Sequence, residues 1–251
     1  MKKICLIIIA ISFFSLHLSA QLRLPEIISD SMVLQQNTNA PIWGWASPGE
    51  KVEVSGSWSN KTIQTIADKD GKWVVKLATP KAGGPYDVII KANETKTLHG
   101  ILIGEVWICS GQSNMEMPVQ GWGETTPINN SAQEIANANY PSIRLFTVEK
   151  KVAAKLQEDV KGNWSSCSPE SVASFSATAY FFARELYNHL HIPIGLIHTS
   201  WGGTIAEAWT SEASLRTMGD FNKDLDQINL MATHATEMME KDKQNAAAWN
   251  K

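Results

Sequence analysis

Cysteine is scarce: the 251 residues hold three, and one of them, Cys5, lies in the first twenty. The remaining two, Cys109 and Cys167, are too few for a disulfide-stapled scaffold or a four-thiolate zinc site. Histidine is thin as well, with six scattered residues. They do not join cysteines at metal-ligand spacing, so no metal is expected, and no cofactor is expected either. Positive charge shows no excess, with 22 Lys and Arg against 25 Asp and Glu for a net charge of -3. That balance excludes the basic footprint of a nucleic-acid binder. After residue 20 no apolar run approaches the ~20 residues of a bilayer span, so the mature chain is expected to have no membrane partner. Tryptophan, in contrast, is plentiful at ten residues. Most tryptophans pack cores or rims, and one or two are expected to contact a sugar.

Residues 1–20 read as a signal peptide. Lys2 and Lys3 give the positive start, Ile4 to Leu18 is mostly apolar, and Leu18-Ser19-Ala20 offers a small-residue cleavage site. The expected location is therefore secreted or periplasmic. In that oxidising compartment Cys109 and Cys167 are able to pair. Cys109 falls in an apolar strand pattern, however, and buried free thiols are common, so two free cysteines are the expectation.

Residues 21–100 have an all-β texture. Met32 to Leu34, Lys51 to Val54, Lys61 to Ile66, Trp73 to Leu77 and Tyr86 to Ile90 alternate with turn signals. Asp70-Gly71 is expected to make a hairpin. Such short strands suggest a small, separable β-sandwich-like module. Its role is a scaffold or a carbohydrate-binding module, with nothing in it that forms a ligand motif.

From residue 101 the texture alternates between strands and helices. Ile101 to Ile108, Ile143 to Val148 and Ile194 to Thr199 read as strands. Phe175, Ala179, Phe182, Leu186 and Leu190 fall on one helical face with Ser174 as its N-cap. Such alternation points to a parallel sheet, with ligands beyond the carboxyl ends of its strands. Two turns fall there. Gly111-Gln112-Ser113-Asn114 would expose the Ser113 hydroxyl after a strand, as a serine nucleophile requires, or be a plain surface turn. Gly202-Gly203 would supply backbone N–H donors for an oxyanion, or be a tight strand-to-helix turn. Asn114 is read as a cap for the turn after Ser113. Glu116 and Glu207 have no role beyond substrate contacts.

The stretch Gly104-Glu105-Val106-Trp107-Ile108-Cys109-Ser110-Gly111-Gln112-Ser113-Asn114-Met115-Glu116-Met117-Pro118 resembles the nucleophile block of the sialate O-acetylesterases. These are carbohydrate esterases related to the SGNH hydrolases. Pro193-Ile194-Gly195-Leu196-Ile197-His198-Thr199-Ser200-Trp201-Gly202-Gly203-Thr204-Ile205-Ala206-Glu207-Ala208-Trp209 resembles the family's next block. The resemblance implies an SGNH-type α/β hydrolase domain over 101–251 and removal of O-acetyl groups from sugars, with Ser113 as nucleophile.

The family takes its base from an Asp-x-x-His segment, which this chain lacks, as it lacks the later Gln-Gly-Glu-type block. His198 is the tempting substitute, yet it lies in an apolar strand and reads as a core histidine. Leu225, Ile228, Ala232, Ala235 and Met239 mark a last amphipathic helix, with no closing element after it. The chain is therefore expected to be the N-terminal portion of a longer enzyme, its hydrolase domain incomplete. Two other functions remain open: a truncated, inactive relative that at most binds glycan, and an esterase for acetylated xylan.

Overall fold

The structure, a computed structural model, describes residues 21–153 and 155–249. The expected signal peptide lies outside them. Its strands are β1 (Val33–Gln35), β2 (Asn39–Trp45), β3 (Lys51–Gly56), β4 (Thr62–Ile66), β5 (Lys72–Ala78), β6 (Gly83–Lys91), β7 (Thr95–Gly111), β8 (Tyr140–Thr147), β9 (Trp164–Cys167) and β10 (Ile194–Ser200). The helices are α1 (Ser113–Glu116), α2 (Ser131–Ala136), α3 (Pro169–Val172), α4 (Ala177–Leu190), α5 (Glu212–Met218) and α6 (Asn222–Trp249). The fold is mixed α/β.

Strand β7 is the spine. Its first part pairs antiparallel with β6, and Leu102–Gly104 pair in parallel with β1. Its last part, Glu105 to Gly111, pairs in parallel with β10. Beyond β10 come β8, parallel, and β9, antiparallel. The result is one eight-stranded sheet in the order β4-β3-β6-β7-β10-β8-β9, with β1 beside β7. A two-stranded sheet, β2-β5, faces its N-terminal part. Ile42, Trp73, Val75 and Leu77 from that small sheet share a core with Val52, Val54, Val88, Ile90, Ile101 and Ile103. This is the expected sandwich-like packing, and each such side chain contributes ~1.5–3 kcal/mol by leaving water.

The expected boundary at 100 and 101 falls inside β7, where the chain has no break. The sheet is continuous through it, so a module released by cutting between Asn93 and Gly100 is not what this fold offers. Residues 158–161 tie the two regions further. Asp159 accepts from the Glu26 N–H at 3.0 Å and pairs with Arg23 at 3.2 Å. Glu158 pairs with Lys72, and Lys161 with Glu26 at 3.0 Å. The Trp164 indole donates to the Ile27 carbonyl at 2.9 Å.

A second core lies under α4, where Ile143, Leu145, Ile194 and Leu196 meet Phe175, Ala179, Tyr180 and Ala183. The buried face of α4 is thus built on Ala179, Tyr180 and Ala183. Phe182 and Leu190, expected inside, are 40% and 48% exposed. The buried face is turned about the helix axis toward Tyr180, which is fully buried, and Ala183, and this carries Phe182 and Leu190 toward solvent. Its N-cap is Ser176, whose hydroxyl accepts from the Ala179 N–H, not Ser174.

Two expectations in the β region also change. Asp70-Gly71 does form a turn, but β4 joins β3 and β5 joins β2, so the turn crosses between sheets instead of closing a hairpin. Strand β2 forms where the sequence gives no clear strand signal, because Pro41 and Gly44 interrupt its alternation. Helix α6 forms where expected. At its described positions Ile228, Leu230 and Met231 are more than half exposed, so this stretch of the helix is not packed down.

Candidate active site

The ends of two parallel strands bring the site together. Ser200, closing β10, is in register with Gly111, closing β7. The Trp201 N–H then donates to the Gly111 carbonyl at 3.0 Å. Gly111 has φ +147, which side-chain-bearing residues rarely adopt, and this turns the chain abruptly into α1. Ser113 is the first residue of α1 and is exposed. Its hydroxyl has no hydrogen-bond partner among the described residues. Asn114 lies inside the first turn of α1, so it cannot be the cap. The N-cap is Gln112, and it makes no side-chain cap bond.

The structure places Gly202 against Ser113. A methyl group on Gly202 would stand 3.6 Å from the Cα and Cβ of Ser113. Gly203 has φ +77, and open space surrounds it. The two glycines differ in what their N–H groups do. That of Gly202 donates to Glu116 Oε2, while that of Gly203 has no partner among the described residues. Glu116 Oε1 in turn takes Lys150 Nζ. Nothing in the sequence pointed to Lys150, which lies beyond the end of β8 and shares no motif with either block.

Next to this corner lies a cavity of about 910 Å³, lined among others by Lys150, Thr199, Ser200, Trp201, Thr204 and Trp209. Trp209 donates its indole N–H to Thr204 Oγ1 at 2.8 Å, and that hydroxyl donates to the Trp201 carbonyl at 2.7 Å. Lys150 Nζ sits 5.6 Å from the Trp201 ring centre, a cation-over-ring contact.

No histidine of the chain contacts Ser113 among the described residues. His99 pairs with Asp87, His189 with Glu185 and His234 with Glu237, and His191 closes α4. His198 is 6% exposed, its Nε2 sits 2.6 Å from Ser200 Oγ, and its ring packs on Phe175 at 5.3 Å. Burial holds its pKa below the usual imidazole range. The core reading of His198 is what the packing shows. Cys109 and Cys167 are both free and buried, and burial pushes their thiols up to about 11 and about 12. Among the described residues no three His, Cys, Asp or Glu gather as a metal site.

Known proteins give the arrangement its context. The chain is 37% identical to the sialate O-acetylesterases of Homo sapiens and Pongo abelii, the match covering 78% of this chain and 40% of each relative. The mouse enzyme is 34% identical. The chain thus spans about 40% of the length of the curated relatives it matches. A solved carbohydrate acetylesterase from Xanthomonas citri superposes with a TM-score of 0.72 at 34% identity, over 78% of this chain and 44% of that one. Together with that neighbour, the mixed α/β fold agrees with an SGNH-like hydrolase domain. Residues 103–248 match the carbohydrate esterase family described as sialic acid-specific acetylesterase. The chain belongs to that family.

Proposed function

We propose that this chain is the Ser113-bearing part of a serine esterase that removes O-acetyl groups from sugars, with acetylated sialic acid as the substrate class. The observation that carries the reading is the exposed Ser113 at the turn after β7, set against Gly202 at the end of the parallel β10. In this reading Ser113 Oγ attacks the acetyl carbonyl. The carbonyl oxygen becomes an oxyanion, and the Ser113 and Gly203 N–H groups, with Gly202 beside them, receive it. The acyl-enzyme formed when the sugar alcohol leaves is then opened by water, releasing acetate. The neighbouring cavity, with Trp201 and Trp209 on its wall, suits a sugar ring stacked on an aromatic face. We further place the mature protein outside the cytoplasm, on the strength of the apolar export segment at 1–20.

A second reading has its own support: among the described residues no histidine is hydrogen-bonded to Ser113 to take its proton. The 251-residue chain would then bind acetylated glycan without turning it over at full rate. Acetate release from 4-nitrophenyl acetate and from O-acetylated sialic acid separates the two. Full turnover that vanishes in Ser113→Ala supports the esterase. Binding of the glycan with no Ser113-dependent turnover supports the second reading. Release that is the same in both proteins overturns Ser113 as nucleophile.

A further inference from the structure

Glu116 sits one helical turn after Ser113 and reaches across to the other block. Its Oε2 accepts the Gly202 N–H, and its Oε1 is held by Lys150. The carboxylate is largely covered, with its side chain 20% exposed. A charge-assisted bond to a backbone N–H is about twice as strong as a neutral one. It therefore fixes the Trp201–Gly202 peptide, one residue before Gly203, whose own N–H has no partner among the described residues and whose φ is +77. Among the described residues the turn is otherwise tethered at its ends, by the Trp201 N–H and by the Thr204 hydroxyl.

We propose that Glu116, braced by Lys150, is a positioning residue that holds the Gly202-Gly203 turn against Ser113, so that the free Gly203 N–H, not that of Gly202, meets the oxyanion. This rests on reading Ser113 as the nucleophile. It assigns the two glycines different tasks: Gly202 is the anchor and Gly203 the donor. Lys150 neutralises the Glu116 carboxylate, which would otherwise repel the developing oxyanion beside it.

The test uses the whole chain with 15N-labelled glycine, in the parent and in Glu116→Ala, Glu116→Gln and Lys150→Met. In Glu116→Ala the Gly202 amide resonance moves and its exchange protection falls. The Gly203 resonance, which Glu116 does not touch, moves with it. Glu116→Gln keeps an acceptor and restores both. An unmoved Gly203 signal in Glu116→Ala overturns the proposal, whatever the turnover. On 4-nitrophenyl acetate, kcat falls ~10–100-fold in Glu116→Ala with KM little changed, because a displaced donor is felt only in the transition state. Glu116→Gln loses about threefold, the charge but not the bond being gone, and Lys150→Met falls between the two. An increase in kcat in Glu116→Ala would show Glu116 to be a plug on the site and would overturn the proposal. If the parent itself shows no Ser113-dependent turnover, the functional reading fails on the assay, and the glycine resonances still decide whether the turn is held.

Discussion

Thr95 to Gly104 and Glu105 to Gly111 are consecutive stretches of one strand, yet they meet opposite surroundings. The first stretch has β6 along one edge, β1 on the other over Leu102–Gly104, and core on its inner face, with Ile101 and Ile103 fully buried. The second has β10 on one edge only. Gln35 extends the pairing a little further, its side chain accepting from the Val106 N–H at 2.9 Å. From Trp107 onward no partner strand lies on that edge among the described residues. Ile108 is 72% exposed there, and Trp107, 42% exposed, rests edge-on against Phe182 at 4.9 Å. The closed stretch carries stability and the open one carries the site. A nucleophile must be reachable, so it belongs where neighbouring backbone stops.

Four experiments press on that contrast. The largest effect is expected from Ser113→Ala, which should remove at least ~10³-fold of any turnover on an acetyl ester while leaving the urea midpoint unchanged. A large shift of that midpoint would put Ser113 in the structural half. Next, Ile103→Ala should cost ~2–5 kcal/mol in urea unfolding, and Ile108→Ala no more than ~0.5 kcal/mol. Equal costs would erase the distinction between the two halves of β7.

Third, Asp159→Ala should cost ~1 kcal/mol, since it strands the Glu26 N–H and frees Arg23. A null result would show that the tie between the two regions rests on the shared sheet alone. The smallest effect concerns His198. Its pKa is depressed in the folded state by burial. Unfolding then takes up a proton between the folded value and the ordinary 6.5. Stability from this source is complete above 6.5 and is lost as pH falls through the folded pKa. Urea midpoints at pH 7 and pH 5 should therefore differ less in His198→Gln than in the parent. An unchanged difference would show that another group carries the acid sensitivity.

Much of the site could be read locally. Gly111-Gln112-Ser113 had to turn, because a glycine ends an apolar strand there and polar turn formers follow. Trp201-Gly202-Gly203 had to turn for the same reason. That both turns sit at the same sheet end follows from parallel pairing of the strands before them. The apolar sequence around Cys109 pointed toward free thiols without deciding the pairing of Cys109 and Cys167, and the structure has both free. What could not be read was every contact that joins distant segments. Glu116 takes the Gly202 N–H, and Lys150 braces it, from two places with no shared motif. The exposure of Ile108 was not legible either, because an apolar, β-branched run gives no sign of which neighbouring strand is absent.

The sequence by itself determined where the chain turns, which strands alternate and which serine stands at a strand end, since these depend on backbone freedom and side-chain period within a few residues. Only the tertiary structure decided that β7 runs unbroken through both regions, that Phe182 faces outward while Ala183 faces in, and that the two glycines beside Ser113 have unequal N–H groups. Those outcomes depend on which atoms arrive from elsewhere in the chain, and hydrogen bonds and close packing act over distances shorter than any sequence pattern can specify.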